Sequence, residues 1–326
     1  MNLKKSIHMK NRTAFKASVI FLIMIAASAS VKVFAQYDAM FTQYMNNEMF
    51  INPAYTGSKE ALAITLLHRQ QWIGIEGRPI TTTLTIHSPV WENKMGLGLS
   101  LLNEKIGVTN RDMIYLSYAY RIRTGLKSYL SFGLMGGIHI QSDKLSLVKT
   151  DVDNDPHFSA NTETVVTPNF GFGINFNTDK FFAGISIPRL LDDHLTLGEN
   201  GDVIKAVGFK PESFHYYLTL GRVFTITDYF KLKPSLMAKA VLNAPVEFDI
   251  NLSSLIKEHL WLGVSYRSGA DIAAMIGLQI GPQFLINYSY DYPLTGLNKF
   301  TSGSHEIVLS ALFAYKGKKI ISNRYF

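Results

Sequence analysis

The feature that most constrains this chain is alternation of period two in short segments of about 8–11 residues, separated by Gly, Asn, Asp and Pro. In Ile80-Thr81-Thr82-Thr83-Leu84-Thr85-Ile86-His87, Ile80, Leu84 and Ile86 share one face, and the opposite face is threonine and histidine. Phe284, Ile286, Tyr288 and Tyr290 alternate with Leu285, Asn287, Ser289 and Asp291, and Ile307, Leu309, Ala311 and Phe313 alternate with Glu306, Val308, Ser310 and Leu312. This is the pattern of a β-strand with two chemically different faces. It predicts strands over 61–68, 80–87, 95–103, 111–121, 128–140, 168–176, 180–187, 213–223, 230–239, 246–252, 258–267, 270–280, 283–291 and 304–314. About fourteen strands is an even number, as single-chain bacterial membrane barrels require.

Alternation also suits a soluble β-sandwich or a lipocalin-like barrel, which would keep a polar exterior and an apolar interior. Here one face is aromatic and aliphatic, and the polar face is rich in Thr, Ser, Gly and Asn but poor in charge. Charged residues make up 17% of the chain, against roughly 25% in soluble domains, while 16 Tyr and 21 Phe suit strands and interfacial girdles. The fold class read from this is all-β: a transmembrane antiparallel β-barrel occupying 61–326, whose closure satisfies every backbone amide without water.

Residues 1–35 have a basic region ending at Lys16, an apolar core from Ala17 to Ala27 and the small-residue ending Val33-Phe34-Ala35. The core falls short of the ~20 residues of a spanning helix, so this segment reads as a secretory signal peptide cut between Ala35 and Gln36. Of the 32 basic residues six lie in this leader, leaving 26 against 25 acidic ones. The net charge of +7 therefore points to export and not to nucleic acid. The chain has no cysteine, which excludes disulfides, thiolate metal sites and a lipoprotein anchor.

Connection lengths give an independent test. The long connections, 69–79, 141–167, 188–212 and 292–303, are the first, fifth, seventh and thirteenth, whereas 88–94, 122–127, 177–179, 224–229, 253–257 and 281–282 are all brief and all even-numbered. An up-and-down barrel places odd and even connections at opposite ends, and outer-membrane barrels keep their periplasmic turns short. The long set is therefore expected to face outward, with both termini periplasmic.

The segment Gln36 to Gly57 (QYDAMFTQYMNNEMFINPAYTG) resembles the start of the PorP/SprF family, outer-membrane proteins of the type IX secretion and gliding machinery of Bacteroidetes. The likeness continues in order through Arg69–Thr82, Met95–Gly107, Asp155–Phe158, Trp261–Ile280, Tyr288–Tyr292, Ser302–Phe313 and the ending Arg324-Tyr325-Phe326. The resemblance implies a barrel of about fourteen strands in the outer membrane of a Gram-negative, Bacteroidetes-like cell. It further implies other type IX components as partners, and a secreted or adhesin cargo with a C-terminal sorting domain held at the cell surface.

Candidate contact residues are Arg69, Gln70, Gln71 and Trp72 at the first long connection, where Trp and Arg match binding hot spots. An interfacial Trp anchor with a hydrogen-bonded Arg fixing the hairpin would look the same. Barrel closure should bring Ser302, Gly303, Ser304, His305 and Glu306 to the same rim sector, for seam closure or for cargo. Asp151, Asp153 and Asp155 have an alternate spacing seen in Ca²⁺ loops but lack the Gly and Glu of an EF-hand, so they read as a solvated acidic loop. His157 and His194 read as surface residues. Residues 36–60 are expected either to plug the lumen or to reach a periplasmic partner; Asn52-Pro53-Ala54 resembles the plug region of FadL-like transporters.

No nucleophile elbow, zincin motif, Walker loop or dinucleotide fingerprint is present. The expectation is a non-enzyme without cofactor or metal, embedded in outer-membrane lipid, binding no nucleic acid and serving secretion. A FadL-like or porin-like transporter is the alternative, and a membrane hydrolase built on a rim Ser–His pair ranks third.

Overall fold

In the computed structural model, the described residues are 39–148, 162, 164–191, 195–197, 203–205, 208–242 and 244–315. They form seventeen strands, numbered in chain order: β1 (Leu62–Gln70), β2 (Ile80–Val90), β3 (Met95–Ile106), β4 (Thr109–Arg123), β5 (Tyr129–Asp143), β6 (Val165–Asn177), β7 (Phe181–Ile187), β8 (Leu195–Leu197), β9 (Val203–Lys205), β10 (Tyr216–Arg222), β11 (Phe224–Thr227), β12 (Phe230–Ala240), β13 (Glu247–Ile256), β14 (Leu260–Arg267), β15 (Asp271–Ile280), β16 (Phe284–Pro293) and β17 (Ser304–Phe313). β8 and β9 pair only with each other. β10 and β11 are one wall strand interrupted at Val223, because both pair with β12, through Gly221↔Ser235 and then Phe224↔Leu232. The wall is thus a fourteen-stranded antiparallel sheet. β1 closes it on β17 from Leu62↔Phe313 to Gln70↔His305.

All fourteen predicted strands are present. The eighth departs most from its expected bounds: it runs on to Thr227, so the turn expected over 224–229 shrinks to Asp228 and Tyr229. The first strand also extends two residues beyond its expected end, through Arg69 and Gln70, with consequences for what Arg69 does.

The two faces sort as alternation requires. Outward positions are apolar, as at Leu116, Leu134, Ile276, Leu278 and Ile280, with Leu116 67% exposed to the surroundings. Inward positions include Thr81, Thr83, Thr85, Ser117, Asn251 and Ser289, all buried. For a fully apolar surroundings this arrangement replaces water with lipid on one side and protein on the other. Hairpin ends are shaped by backbone conformation: Lys257 and Glu258 both take positive φ, 49° and 61°, in the three-residue β13–β14 turn.

The first barrel strand starts, and the last one ends, at the short-turn end. Ala39 and Met40, however, lie at the long-connection end among Arg189, Lys239 and Glu247. The expectation of both termini on one side thus describes the first and last strands but not Ala39. Between Phe41 and Ser58 the chain runs down the lumen in a 3-10 turn (Tyr44–Asn46), one helical turn (Glu48–Ile51) and a second 3-10 turn (Pro53–Tyr55).

Candidate functional site: the occupied lumen

The inner segment is held by three kinds of interaction. The first is apolar. Phe41, Tyr44, Met45 and Ile51 pack with wall residues Leu67, Leu102, Met113, Tyr115, Met135 and Val308. These inward apolar side chains stand among the Thr, Ser and Asn expected on the polar face. Their physical reason is the segment itself, which supplies the apolar partner that water would not.

The second is ionic and lies near the long-connection end. The Arg69 guanidinium (β1) is 2.7 Å from the Asp291 carboxylate (β16) and 3.0 Å from that of Glu306 (β17). Backbone amides of the inner segment complete the cluster: Thr42 N–H donates to Glu306 Oε2 at 3.0 Å and Gln43 N–H to Oε1 at 2.8 Å. Arg69 Nη1 also donates to Thr42 Oγ1 (2.9 Å), which donates to Asp291 Oδ2 (2.6 Å). Next to it, Arg267 (β14) pairs with Asp249 (β13) at 2.9 Å and Asp271 (β15) at 3.2 Å, and donates to the Phe41 carbonyl at 3.2 Å. Phe41, Thr42 and Gln43 are therefore clamped by a charged belt spanning β13 to β17 and β1. Charges in such surroundings persist only when paired and hydrogen-bonded, and these are.

The third is close backbone approach on the opposite wall, toward the short turns. A Cβ on Gly96 (β3) would lie 2.1 Å from the Thr56 carbonyl oxygen. One on Gly133 (β5) would lie 2.1 Å from the Ala54 nitrogen, and one on Gly173 (β6) 2.1 Å from Asn52 Oδ1. Asn52 donates to the Ile174 carbonyl, His87 Nδ1 accepts from Gly57 N–H at 3.0 Å, and Arg121 donates to the Gly57 carbonyl at 2.9 Å. Glycine is needed here because a side chain would displace backbone at Gly96 and Gly133, and the Asn52 side chain at Gly173. Replacing Gly133 by valine should lower stability by at least about 1–3 kcal/mol, the cost of overpacking. Gly136→Ala, where the added carbon meets only the Phe170 ring at 3.3 Å, is the control. Denaturant midpoints of the two variants in lipid vesicles check this.

The nine rim candidates come together at the β1–β17 seam, but they divide. Arg69, Ser304 and Glu306 face inward and are buried, Arg69 at 1% and Glu306 at 0% exposure. Arg69 is thus a strand residue bound to the inner segment and not part of the loop surface. Trp72 takes φ 53° and its N–H donates to Ser304 Oγ at 3.1 Å. Gln71 N–H donates to the Pro79 carbonyl, and Ser302 N–H to that of Ile73 at 2.8 Å, while Gly303 takes φ 96°. Gln70 contacts His68, and His305 bonds Tyr288 at 2.6 Å. The two connections are stitched together by these bonds, as closure predicts. Asp151, Asp153, Asp155, His157, His194, the cleavage pair Ala35 and Gln36, and Arg324–Phe326 lie outside the described residues.

Sequence reasoning missed Asp249, Arg267, Asp271 and Asp291 as members of the clamp. The available signal was an ionisable residue on the inward phase of a strand near its rim end, which is costly unless it has a partner inside.

A closed fourteen-stranded wall, apolar outside and filled inside by its own N-terminal segment, defines an outer-membrane-type β-barrel. The family model for the type IX secretion system membrane protein PorP/SprF matches residues 33–311. The chain belongs to that family. Among solved structures it is similar to the CymD monoaromatic hydrocarbon channel (12% identity, TM-score 0.49, covering 86% of this chain and 95% of that one). It is also similar to a Pseudomonas aeruginosa FadL homologue (11%, 0.44, 80% and 92%) and to Acinetobacter baumannii Omp33 (8%, 0.44, 79% and 100%). Comparison with curated proteins returned no match.

Proposed function

We propose that this chain is a non-enzymatic outer-membrane component of the type IX secretion system that holds a secreted or adhesin cargo at the cell surface. On this reading the long-connection end faces outward and engages the cargo's C-terminal sorting domain, and the short turns face periplasmic components of the machinery. The observation that carries the reading is the occupied lumen. Residues 41–58 are fastened to the wall by charge, by apolar packing and by backbone contact on opposite sides. A cylinder so filled acts as a rigid ring presenting loops. Membership in the PorP/SprF family supplies the context of type IX secretion, and the proposal extends it to gliding and to a Bacteroidetes-like cell. The task requires surface complementarity and no bond-making chemistry.

Deleting 145–160 is expected to release sorting-domain proteins from the cell surface into the medium. The barrel should remain folded, as read by its heat-modifiable migration on gels. Full retention of surface cargo by a correctly assembled deletion variant would overturn the reading. Steady conductance of the unaltered protein in planar bilayers would favour a FadL-like or porin-like transporter instead.

A further inference from the structure

Between the inner segment and the wall, on the long-connection side, lies a cavity with about 700 Å³ of space free of atoms, part of it continuous with solvent. Phe41, Tyr44 and Ile51 form its floor, and Met113, Met135 and Met237 contribute to its walls. Methionine walls are polarisable and adaptable, suited to a flexible apolar guest.

Charged residues also line this cavity, Arg189, Lys239, Glu247, Asp249 and Arg267, and among them Lys239 stands apart. Lys239 of β12 lines it and is 6% exposed, yet its Nζ has no hydrogen-bond partner. The Tyr217 ring lies 5.9 Å from it, at the outer limit of a cation–π contact. The carboxylates nearby are already committed. Glu247 stands directly opposite Lys239 in the β12–β13 register, but its Oε1 lies 3.8 Å from Arg267 Nε. Asp249 is bound to Arg267 at 2.9 Å. A buried ammonium without an acceptor is unfavourable, and a ligand oxygen would correct it. Other buried cations of the lumen, Arg69 and Arg267, have their carboxylates, so Lys239 differs from them in kind.

We infer that this cavity binds an amphiphile with one anionic head and one flexible apolar tail, the head on Lys239 and the tail among Met113, Met135 and Met237. A single-chain carboxylate is the simplest member of that class. The inference rests on the luminal geometry alone and is independent of the cargo reading above.

Equilibrium dialysis of radiolabelled dodecanoate against the full chain in amphipol tests it, with dodecanol and dodecyltrimethylammonium as probes of equal tail length. Dodecanoate should bind saturably, one per chain, and Lys239→Met should weaken it about ten- to hundredfold, the range for a hydrogen bond to a charged group, with dodecanol little changed. Met237→Trp, which fills the cavity and leaves Lys239 in place, should weaken both. This second variant decides the matter should Lys239→Met fail to assemble. No saturable dodecanoate binding, equal binding of dodecyltrimethylammonium, or dodecanoate affinity unaltered in either folded variant would overturn the inference.

Discussion

Replacing Arg69 with alanine should destabilise the folded barrel by about 3–5 kcal/mol, because it strips a buried cation from two carboxylates and leaves both without a counter-charge. The cluster holds one guanidinium against Asp291 and Glu306, with the balance made up by the N–H groups of Thr42 and Gln43. Removing the cation therefore strands more charge than removing either anion. Asp291→Asn should cost much less: it leaves a one-to-one Arg69–Glu306 pair, and the amide can still accept from Thr42 Oγ1. Arg69→Lys should fall between the two, since a single ammonium point replaces a planar group that meets Asp291, Glu306 and Thr42 together. The same order should appear in single-channel recordings. Losing the grip on Thr42 and Gln43 loosens the entry of the inner segment, so Arg69→Ala should show openings that Asp291→Asn lacks. Urea unfolding in vesicles provides the energies. An Arg69→Ala midpoint equal to that of the unaltered chain would show that the clamp contributes nothing.

The wall of this protein was legible because lipid and lumen impose opposite demands on adjacent residues. Thr81, Thr83 and Thr85 could be assigned inward from alternation alone, and they are buried there. The parity of long and short connections was readable for a similar reason, since consecutive hairpins must lie at opposite ends. Arg69 shows where such reading stops. Ending the first strand at residue 68 makes Arg69 a loop residue free to meet a partner, whereas two more residues of pairing, Arg69↔Glu306 and Gln70↔His305, fix it inward with Ala63, Thr65 and Leu67. A shift of two residues in one boundary thus changes its role from surface contact to internal clamp. The inner segment was harder still. Its two 3-10 turns and single helical turn have no sustained periodicity, and its shape is dictated by the wall it meets. The complementary trace was present in the strands, in Gly96, Gly133 and Gly173. Their purpose becomes visible only once Thr56, Ala54 and Asn52 are placed against them.

Cysteine labelling should separate the two ends of the barrel in an all-or-none manner, and the native chain, having no cysteine, gives no background. Leu126 is exposed in the β4–β5 turn at the short end, and Asn298 is exposed in the β16–β17 connection at the long end. With the long connections outward, a membrane-impermeant maleimide added to intact cells should modify Asn298→Cys and spare Leu126→Cys. Lysed cells should allow both. Reversal of that pattern would invert the barrel and remove the basis for cargo capture by 141–167 and 188–212. Ala39→Cys carries the more demanding test. The chain reaches β1 from the short end, but Ala39 lines the same cavity as Lys239 and Glu247 near the long end. A small outside reagent should therefore reach Ala39→Cys in the same orientation that labels Asn298→Cys. The clamp at Thr42 and the glycine contacts at Ala54 lie inside the finished ring, and a wall that closes on β1–β17 around the segment gains these contacts as it closes. Assembly would then proceed around the segment, and variants that weaken its grip should slow closure as well as loosen the closed state.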